Sequence, residues 1–298
     1  MATTLTSANE RYVPKKMEAV PCMLCGDKEY KIHELFGDQN QWRYVECKNC
    51  SNIYLNPRPA YNEEFTDVAY DQYAMDRDLV TLKGEVSPST RKVIDRYKIT
   101  LNELEKKYNK KGKILDLGCI TGEFLIAAKE CGWEPYGIDI SKPMVDHINQ
   151  TLKIPAKAGE FEHMDLSDWG KFDVIFCSHV IEHIPHPNTW MSTFKKYLKE
   201  DGILVLNIPN QMAPGSKLKR LSKKLKLRKP KWDHWRSPDH LYEPHIKSMK
   251  YLIDKNDFKL LDIYTYSNSE KEKQGALTKL FQKKLKWGSK LRLFAKLK

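Results

Sequence analysis

The sequence predicts a doubly wound α/β domain, in which a mostly parallel sheet carries helices on both faces, preceded by a small N-terminal metal-binding domain. From Gly112 onward, short apolar runs alternate with helical patterns, which is typical of parallel strands joined by crossover helices. Four cysteines in two closely spaced pairs precede that region, between residues 22 and 50. A chain of 298 residues is long enough for one full α/β domain and a smaller one.

The predicted strands are short apolar runs, at 113–117, 134–138, 156–158, 172–177 and 203–208, with a hairpin-like region near 258–266. Helices are expected at 122–131, 142–152, 188–198 and 245–256. A longer helix is expected to begin after the Ser87-Pro88-Ser89-Thr90 cap and to continue through Tyr108. The resulting segments are a leader at 1–20, a zinc knuckle domain at 21–60, a helical connector at 61–110, the α/β domain at 111–268 and a basic tail at 269–298.

The four N-terminal cysteines have the spacing of a structural zinc site. Cys22 and Cys25 form one C-x2-C pair, Cys47 and Cys50 form the other, and 21 residues separate the pairs. Each pair can direct two thiolates at one point, and four thiolates complete the tetrahedral coordination of zinc. Four protein ligands leave no open position for water, so we expect Zn²⁺ in a structural role. The alternative is four unrelated buried cysteines.

Hydropathy and cysteine usage predict a cytoplasmic protein. No apolar run approaches the roughly 18–20 residues that span a bilayer. Residues 1–16 lack the apolar core of a secretory signal. In the reducing compartment that this implies, the 7 cysteines are expected to be thiols or metal ligands.

The formal net charge of +12 comes from two segments of the chain. Ser216–Lys231 holds nine Lys and Arg without an acid, and Ser269–Lys298 holds ten against two Glu. Apolar residues recur at helical spacing in Lys217–Lys231 and again from Leu277 to Phe294, so both segments are predicted to be basic amphipathic helices. Either these are ordinary solvated faces, or they contact an anionic membrane surface at its inner face. Nucleic acid is the other candidate polyanion.

The segment from Lys113 to Leu125 has the pattern of a nucleotide-cofactor site. An apolar strand contains Asp116, and Gly118 and Gly122 flank the turn that leads into an apolar helix. Glycine permits close approach of the backbone, and a helix N-terminus offers N–H groups to a carboxylate. Asp139 ends the next strand, where an acid usually binds ribose hydroxyls. A nicotinamide dehydrogenase would instead carry G-x-G-x-x-G directly after the strand, which this segment does not.

These motifs resemble those of class I S-adenosylmethionine-dependent methyltransferases. The matching segments are Asp116 to Gly122, Asp139, Phe172-Asp-Val-Ile-Phe-Cys177, Val180-Ile-Glu-His-Ile-Pro185 and Gly202-Ile-Leu-Val-Leu-Asn207, within roughly 111–266. With the cysteine pairs and Asn56-Pro-Arg-Pro59 in front, the chain resembles bacterial zinc-knuckle methyltransferases of sugar, capsule and natural-product pathways. The resemblance implies a Rossmann-like methyltransferase sheet and S-adenosyl-L-methionine as cofactor.

The resemblance also implies roles for individual residues. Gly118 and Gly122, beside Asp116, would line the methionine end of the cofactor, and Asp139 would bind the ribose. The acid near the adenine amino group would be Glu160 or its rival Asp165, and Tyr70 and Tyr73 would close over the cofactor.

One position departs from the family pattern. Ile120 stands where D-x-G-C-G-x-G usually has its middle glycine. We expect this side chain to narrow the pocket or to tilt the loop.

Histidines are the candidate catalytic residues. Methyl transfer to a hydroxyl requires alignment of donor and acceptor and a base for the proton, and histidine titrates near neutrality. His179, His183 and His240 are expected at the carboxyl ends of strands, where ligands bind. The stretch His179-Val-Ile-Glu-His183 also has the H-x-x-E-H spacing of inverted zinc proteases. That motif needs a helix that presents both imidazoles to a metal, whereas this one directly follows a buried strand.

The expected function is therefore an O-methyltransferase that acts on a sugar or glycan precursor, lipid-linked or phosphorylated. Trp232 and Trp235 would stack on the sugar. An RNA methyltransferase is one alternative, although Asn207-Ile-Pro-Asn210 lacks the aromatic N/D-P-P-Y/F/W motif of enzymes that methylate amino groups of nucleic acids. The other alternative is a scaffold whose cofactor pocket Ile120 blocks.

Overall fold

The α/β domain is organised around a seven-stranded sheet, described by a computed structural model. The structure describes residues 16–36, 42–60, 86–214, 240–267 and 288–298, with isolated positions between 216 and 225. Its strands are β6 (Lys113–Leu117), β7 (Glu134–Asp139), β8 (Ala156–Ala158), β9 (Phe172–Ser178), β10 (Leu198–Pro209), β12 (Phe258–Tyr266) and β13 (Lys290–Leu297).

The strand order is β12-β13-β10-β9-β6-β7-β8. The five strands from β10 to β8 pair in parallel, while β13 is antiparallel to both of its neighbours. The strand order reverses between β6 and β9, so the carboxyl ends of these two strands lie at the switch point of the sheet, which is where doubly wound folds bind ligands.

Helices cover both faces of this sheet. They are α1 (Pro88–Tyr108), α2 (Glu123–Glu130), α3 (Lys142–His147, continued by a π turn at Ile148–Leu152), α4 (Pro187–Tyr197) and α5 (Ile246–Lys255). Successive side chains of a strand point to opposite faces. Accordingly, Val174 and Phe176 of β9 pack with α1 and α2 residues, whereas Ile175 and Cys177 pack with α4 and α5 residues. The predicted doubly wound α/β fold is confirmed.

The N-terminal domain is a second, antiparallel sheet. Its strands are β2 (Tyr30–Phe36), β3 (Trp42–Cys47) and β4 (Ile53–Leu55), with a two-stranded pair formed by β1 (Met17–Glu18) and β5 (Arg58–Pro59). The order of the larger sheet is β11-β4-β3-β2, and β11 (Tyr242–Glu243) comes from the second half of the chain. The two domains therefore share a sheet.

The end of the chain differs from the prediction. Residues 290–297 were expected in a basic amphipathic helix outside the α/β domain, and they form β13, which is paired on both sides. The prediction of a helix is wrong there because Leu291, Leu293 and Ala295 also alternate with period two, and all three are buried between β10 and β12. The boundary expected after residue 268 is wrong for the same reason. Residues 269–287 lie outside the described part.

The other predicted elements agree closely with the structure. Strands β6 and β8 have the predicted bounds, and β10 begins at Leu198, five residues before the expected 203. The region near 258–266 is the antiparallel partner of β13. Among the described residues, no helix has the length and apolar character needed to cross a bilayer.

Candidate active site and zinc site

The loop between β6 and α2 forms the first wall of the candidate site. Gly118 and Gly122 adopt left-handed backbone angles, with φ of 73° and 84°. A Cβ on Gly118 would approach Val180 Cγ2 to 2.5 Å, so glycine is required there for close packing of the loop. The Gly118 amide donates to the Ile138 carbonyl at 2.8 Å, which fixes the loop to β7.

Ile120 carries backbone strain within this loop. Its φ is 45°, in the left-handed region that a β-branched residue rarely adopts. The half-buried side chain borders the cavity described below and does not close it. Ile120, the departure from the family pattern, therefore strains the loop but leaves the cavity open.

Asp139 lies at the end of β7 and holds the loop through two hydrogen bonds. Its Oδ2 accepts from the Ile120 amide and its Oδ1 from the Ser141 amide, both at 2.9 Å. Burial raises the pKa of Asp139, and these two backbone donors oppose that effect. Burial also raises the pKa of Asp116, which lies beside the Asp139 carboxylate. A carboxylate has about four lone-pair sites, so Asp139 keeps acceptor capacity for a ligand.

Two glutamates after β8 occupy the region expected to contact adenine. Glu160 and Glu162 both border the cavity. The side chain of Glu162 is 7% exposed, and its Oε2 is buried without a hydrogen-bond partner among the described residues. Asp165, the rival predicted from the sequence, instead accepts from Ser167 at the surface. Glu162 is the acid that sequence analysis missed.

These residues border a cavity of about 490 Å³, within the range of small-molecule sites. Asp116, Gly118, Asp139 and Glu160 border it, and so do all three candidate catalytic histidines. Gly122 lies behind the loop, where a Cβ would meet Leu152. The volume, the remaining acceptor capacity of Asp139 and the unsatisfied Glu162 oxygen together fit S-adenosylmethionine.

The predicted histidines form one cluster with two buried glutamates. His183 and His240 meet edge to face, with ring centroids 4.8 Å apart. His240 Nδ1 lies 3.1 Å from Glu243 Oε1, and His179 Nδ1 lies 3.4 Å from Glu182 Oε1. Both glutamate side chains are fully buried. The imidazoles of His179 and His240 therefore each face a carboxylate that can orient the ring and stabilise its protonated form.

Glu182 is the electrostatic centre of this cluster. Burial by itself would raise its pKa, but the surrounding His179, His183 and His240 lower it to about 2. Neither of its oxygens has a hydrogen bond of normal geometry among the described residues, and the same holds for His179 Nε2. The position of His179 is also strained, with a φ of 58° at the end of β9. Unsatisfied buried groups and strained residues are typical of functional sites.

The four N-terminal cysteines converge as the zinc prediction requires. The Sγ atoms of Cys22 and Cys50 are 3.4 Å apart, as are those of Cys25 and Cys47, and all four lie within 4.8 Å of one another. Zn–S bonds of about 2.3 Å in a tetrahedron place sulfurs about 3.8 Å apart, so the cluster fits the ion. A hydrogen bond from Cys50 lowers the pKa of Cys22 to about 5.

The two cysteine turns, at Cys22–Gly26 and Cys47–Ser51, which we call the zinc turns, are closed by the same backbone hydrogen bond. Gly26 N donates to Cys22 O at 2.8 Å, and Ser51 N donates to Cys47 O at 3.1 Å. The two donors have left-handed φ angles of 82° and 61°. The first turn thus uses glycine and the second uses serine, whose strained conformation the sequence did not indicate.

Four predicted residues, Tyr70, Tyr73, Trp232 and Trp235, lie outside the described residues. His245 is described and does not border the cavity; it caps α5 by accepting from the Lys247 amide.

Comparison with known proteins agrees with this geometry. A family model described as a methyltransferase domain matches residues 90–263. A ubiquinone biosynthesis O-methyltransferase of Glaesserella parasuis is 29% identical over 110 residues, which cover 34% of this chain and 47% of that protein. A putative methyltransferase of Bacillus subtilis is 33% identical over 113 residues, covering 35% and 45%. The chain spans about half the length of the curated relatives it matches.

Solved structures share the fold at low sequence identity. A protein of Pyrococcus horikoshii has a TM-score of 0.52 and 17% identity, covering 76% of this chain and 99% of that one. Magnesium protoporphyrin IX methyltransferase of Synechocystis, solved with bound SAH, has a TM-score of 0.51 and 17% identity, covering 78% and 96%. These likenesses show a shared fold.

Proposed function

This chain belongs to the methyltransferase domain family, and we propose that it transfers a methyl group from S-adenosylmethionine to a hydroxyl of a sugar or glycan precursor. The family match and the shared fold confirm the predicted enzyme class, a S-adenosylmethionine-dependent methyltransferase, at the level of the domain. The acceptor and the methylated atom are our proposal.

The observation that carries the proposal is the composition of the cavity. The cofactor loop and Asp139 border the same cavity as His179, His183 and His240, and His179 and His240 are paired with buried carboxylates. Bound S-adenosylmethionine supplies an electrophilic methyl group on a sulfonium. A hydroxyl acceptor must lose its proton, and a histidine that titrates near neutrality can accept it.

His240 is the base that we favour. Its ring borders the cavity, although the residue is only 3% exposed, and its Nδ1 faces Glu243 at 3.1 Å. A proton held on Nδ1 by the carboxylate leaves Nε2 as the basic nitrogen. Glu243 then stabilises the imidazolium after proton transfer. Several relatives named as O-methyltransferases support oxygen as the methylated atom.

The test is methyl uptake from labelled S-adenosylmethionine by nucleotide sugars, lipid-linked oligosaccharides and RNA. We expect a sugar product, and we expect His240→Gln to lower turnover roughly 10²- to 10⁴-fold, the usual effect of a general base, without loss of cofactor binding. His33→Gln is the control, because His33 pairs with Glu46 on the N-terminal sheet and does not border the cavity.

Transfer to RNA alone would favour the nucleic-acid alternative instead. Absence of cofactor binding by the folded, zinc-loaded protein would leave only the scaffold alternative.

We further propose cytoplasmic location with peripheral contact at an anionic membrane. Leu218 and Leu225 are 67% and 59% exposed within the basic segment Lys217–Lys231. Exposed leucines among lysines favour an interfacial segment. Of the predicted basic tail, only residues 269–287 are proposed to contribute to the membrane contact, because β13 is buried in the sheet. Co-sedimentation with anionic but not neutral liposomes is the expected result.

A further inference from the structure

The segment that carries His240 is built into the sheet of the N-terminal domain. Strand β11 pairs antiparallel with β4, with Tyr242 opposite Tyr54 and Glu243 opposite Ile53. Just before β11, the Leu55 amide donates to the Leu241 carbonyl at 2.9 Å. Strand β11, which begins two residues after His240, is therefore an edge strand of the N-terminal sheet.

Tyr44 of β3 extends this attachment to His240 itself. Its hydroxyl donates to the His240 carbonyl at 3.0 Å, although the two residues are 196 positions apart. Tyr44 is fully buried, so this hydrogen bond is shielded from water. The backbone of His240 is thus held by a side chain of the other domain.

The opposite side of the same segment contacts the α/β domain. The Leu241 amide donates to the Glu182 carbonyl at 3.0 Å. Segment 240–243 therefore lies between the N-terminal sheet and the Glu182-His183 turn, and the spacing of the histidine cluster depends on both.

The zinc turn is next to this contact along the chain. Cys50 precedes Ile53 by three residues, and Asn52 Nδ2 lies 3.9 Å from Cys22 Sγ. Ser51, which directly follows Cys50, has its carbonyl 2.7 Å from His245 Nε2. The turn thereby contacts His245, which lies two residues after β11 and caps the start of α5.

We propose that the N-terminal domain positions the catalytic histidine, with Tyr44 and β4 as the positioning elements. This rests on the proposed function, because it assigns His240 to the acceptor proton. In this arrangement the zinc turn stabilises the edge on which β11 is built. No described residue of the N-terminal domain borders the cavity, so the domain acts on the site only through the segment that carries His240.

Tyr44→Phe tests the proposal by removing one hydroxyl. We expect the titration midpoint of His240, followed by NMR of its ring Cε1 nucleus in protein saturated with S-adenosylhomocysteine, to move by up to about one unit. Glu182, Glu243 and His183 lie close to His240, and His179 faces Glu182, so the midpoint of His240 is sensitive to a small displacement. With an acceptor from the screen, kcat should fall roughly 2- to 10-fold, with little change in the acceptor KM.

Tyr54→Phe is the matched control. Tyr54 is also fully buried in the same sheet, but its hydroxyl has no hydrogen-bond partner among the described residues. We expect this variant to keep the His240 midpoint and kcat. Equal changes in both variants, or none in Tyr44→Phe, would overturn the proposal.

Zinc removal gives a second measurement. Chelation should broaden or shift the His240 signal while affinity for S-adenosylhomocysteine, measured by calorimetry, stays within a few-fold. An unchanged His240 signal in zinc-free protein would refute the contribution of the zinc turn. Failure of the proposed function has a different signature, because intact wild-type protein would then methylate no sugar acceptor, or would bind no S-adenosylhomocysteine, whatever the result with Tyr44→Phe.

Discussion

Replacing Asp139 by asparagine tests the cofactor site most directly. The carboxylate uses one lone pair on each oxygen for the amides of Ile120 and Ser141. Of about four lone-pair sites, two remain for the ribose hydroxyls. An asparagine side chain has only one oxygen, so it can accept at most one of the two hydrogen bonds expected from the ribose hydroxyls.

The expected loss of affinity follows from that count. A hydrogen bond to a charged acceptor contributes about 1.5–3 kcal/mol, and 1.4 kcal/mol corresponds to a tenfold change in the dissociation constant. We therefore expect Asp139→Asn to weaken binding of S-adenosylhomocysteine by roughly 10- to 150-fold. Isothermal titration calorimetry measures this, with circular dichroism to verify the fold.

The control is Asp165→Asn, at an exposed acid whose carboxylate accepts from Ser167 and which does not border the cavity. It should bind as the wild type does. An affinity of folded Asp139→Asn within twofold of wild type would show that Asp139 does not contact the cofactor, and the assignment of the pocket would be incorrect.

Two further variants test the strain and the electrostatics of the site. Ile120→Gly should raise the free energy of unfolding by about 0.5–1 kcal/mol, because relief of left-handed strain of about 1–2 kcal/mol exceeds the entropic cost of glycine of about 0.5–1 kcal/mol. Urea denaturation measures the change. The control is Ile140→Gly, at a cavity residue without positive φ, which should lower the free energy of unfolding. A lower free energy of unfolding in both variants would contradict the strain argument. Glu182, whose pKa falls from 4.5 to about 2, contributes stability that is complete above pH 4.5 and is lost as the pH falls toward 2. Glu182→Gln should therefore flatten the decline of stability between pH 4.5 and pH 2, and an unchanged slope would contradict the ion pairing with the histidines.

Local sequence patterns were sufficient to predict the strands of the sheet and the cofactor loop. Strand β6, Gly118 and Asp139 lie within one strand-turn-helix-strand unit, whose geometry follows from glycine placement and apolar periodicity. The convergence of the four cysteines was predictable for the same reason, since they form two short turns. His179 and His183 could be named as candidates, since they directly follow the apolar run of β9.

The sequence could not predict features that depend on contacts between distant segments. Residues 290–297 have a pattern compatible with either helix or strand, and only the two neighbouring strands decide between them. Glu162 has no motif, and its unsatisfied oxygen is visible only when the cavity is assembled.

What the sequence by itself determined is the class of the domain, its cofactor loop and its metal ligands, because each is specified by residues close together in the chain. What only the tertiary structure decided is the relation of the two domains. Tyr44 reaches His240 across 196 positions, and β11 completes the sheet of a domain that ends at residue 60. A hydrogen bond or a strand pair between such distant segments leaves no periodic signal in either one, because its geometry exists only after the intervening chain has folded.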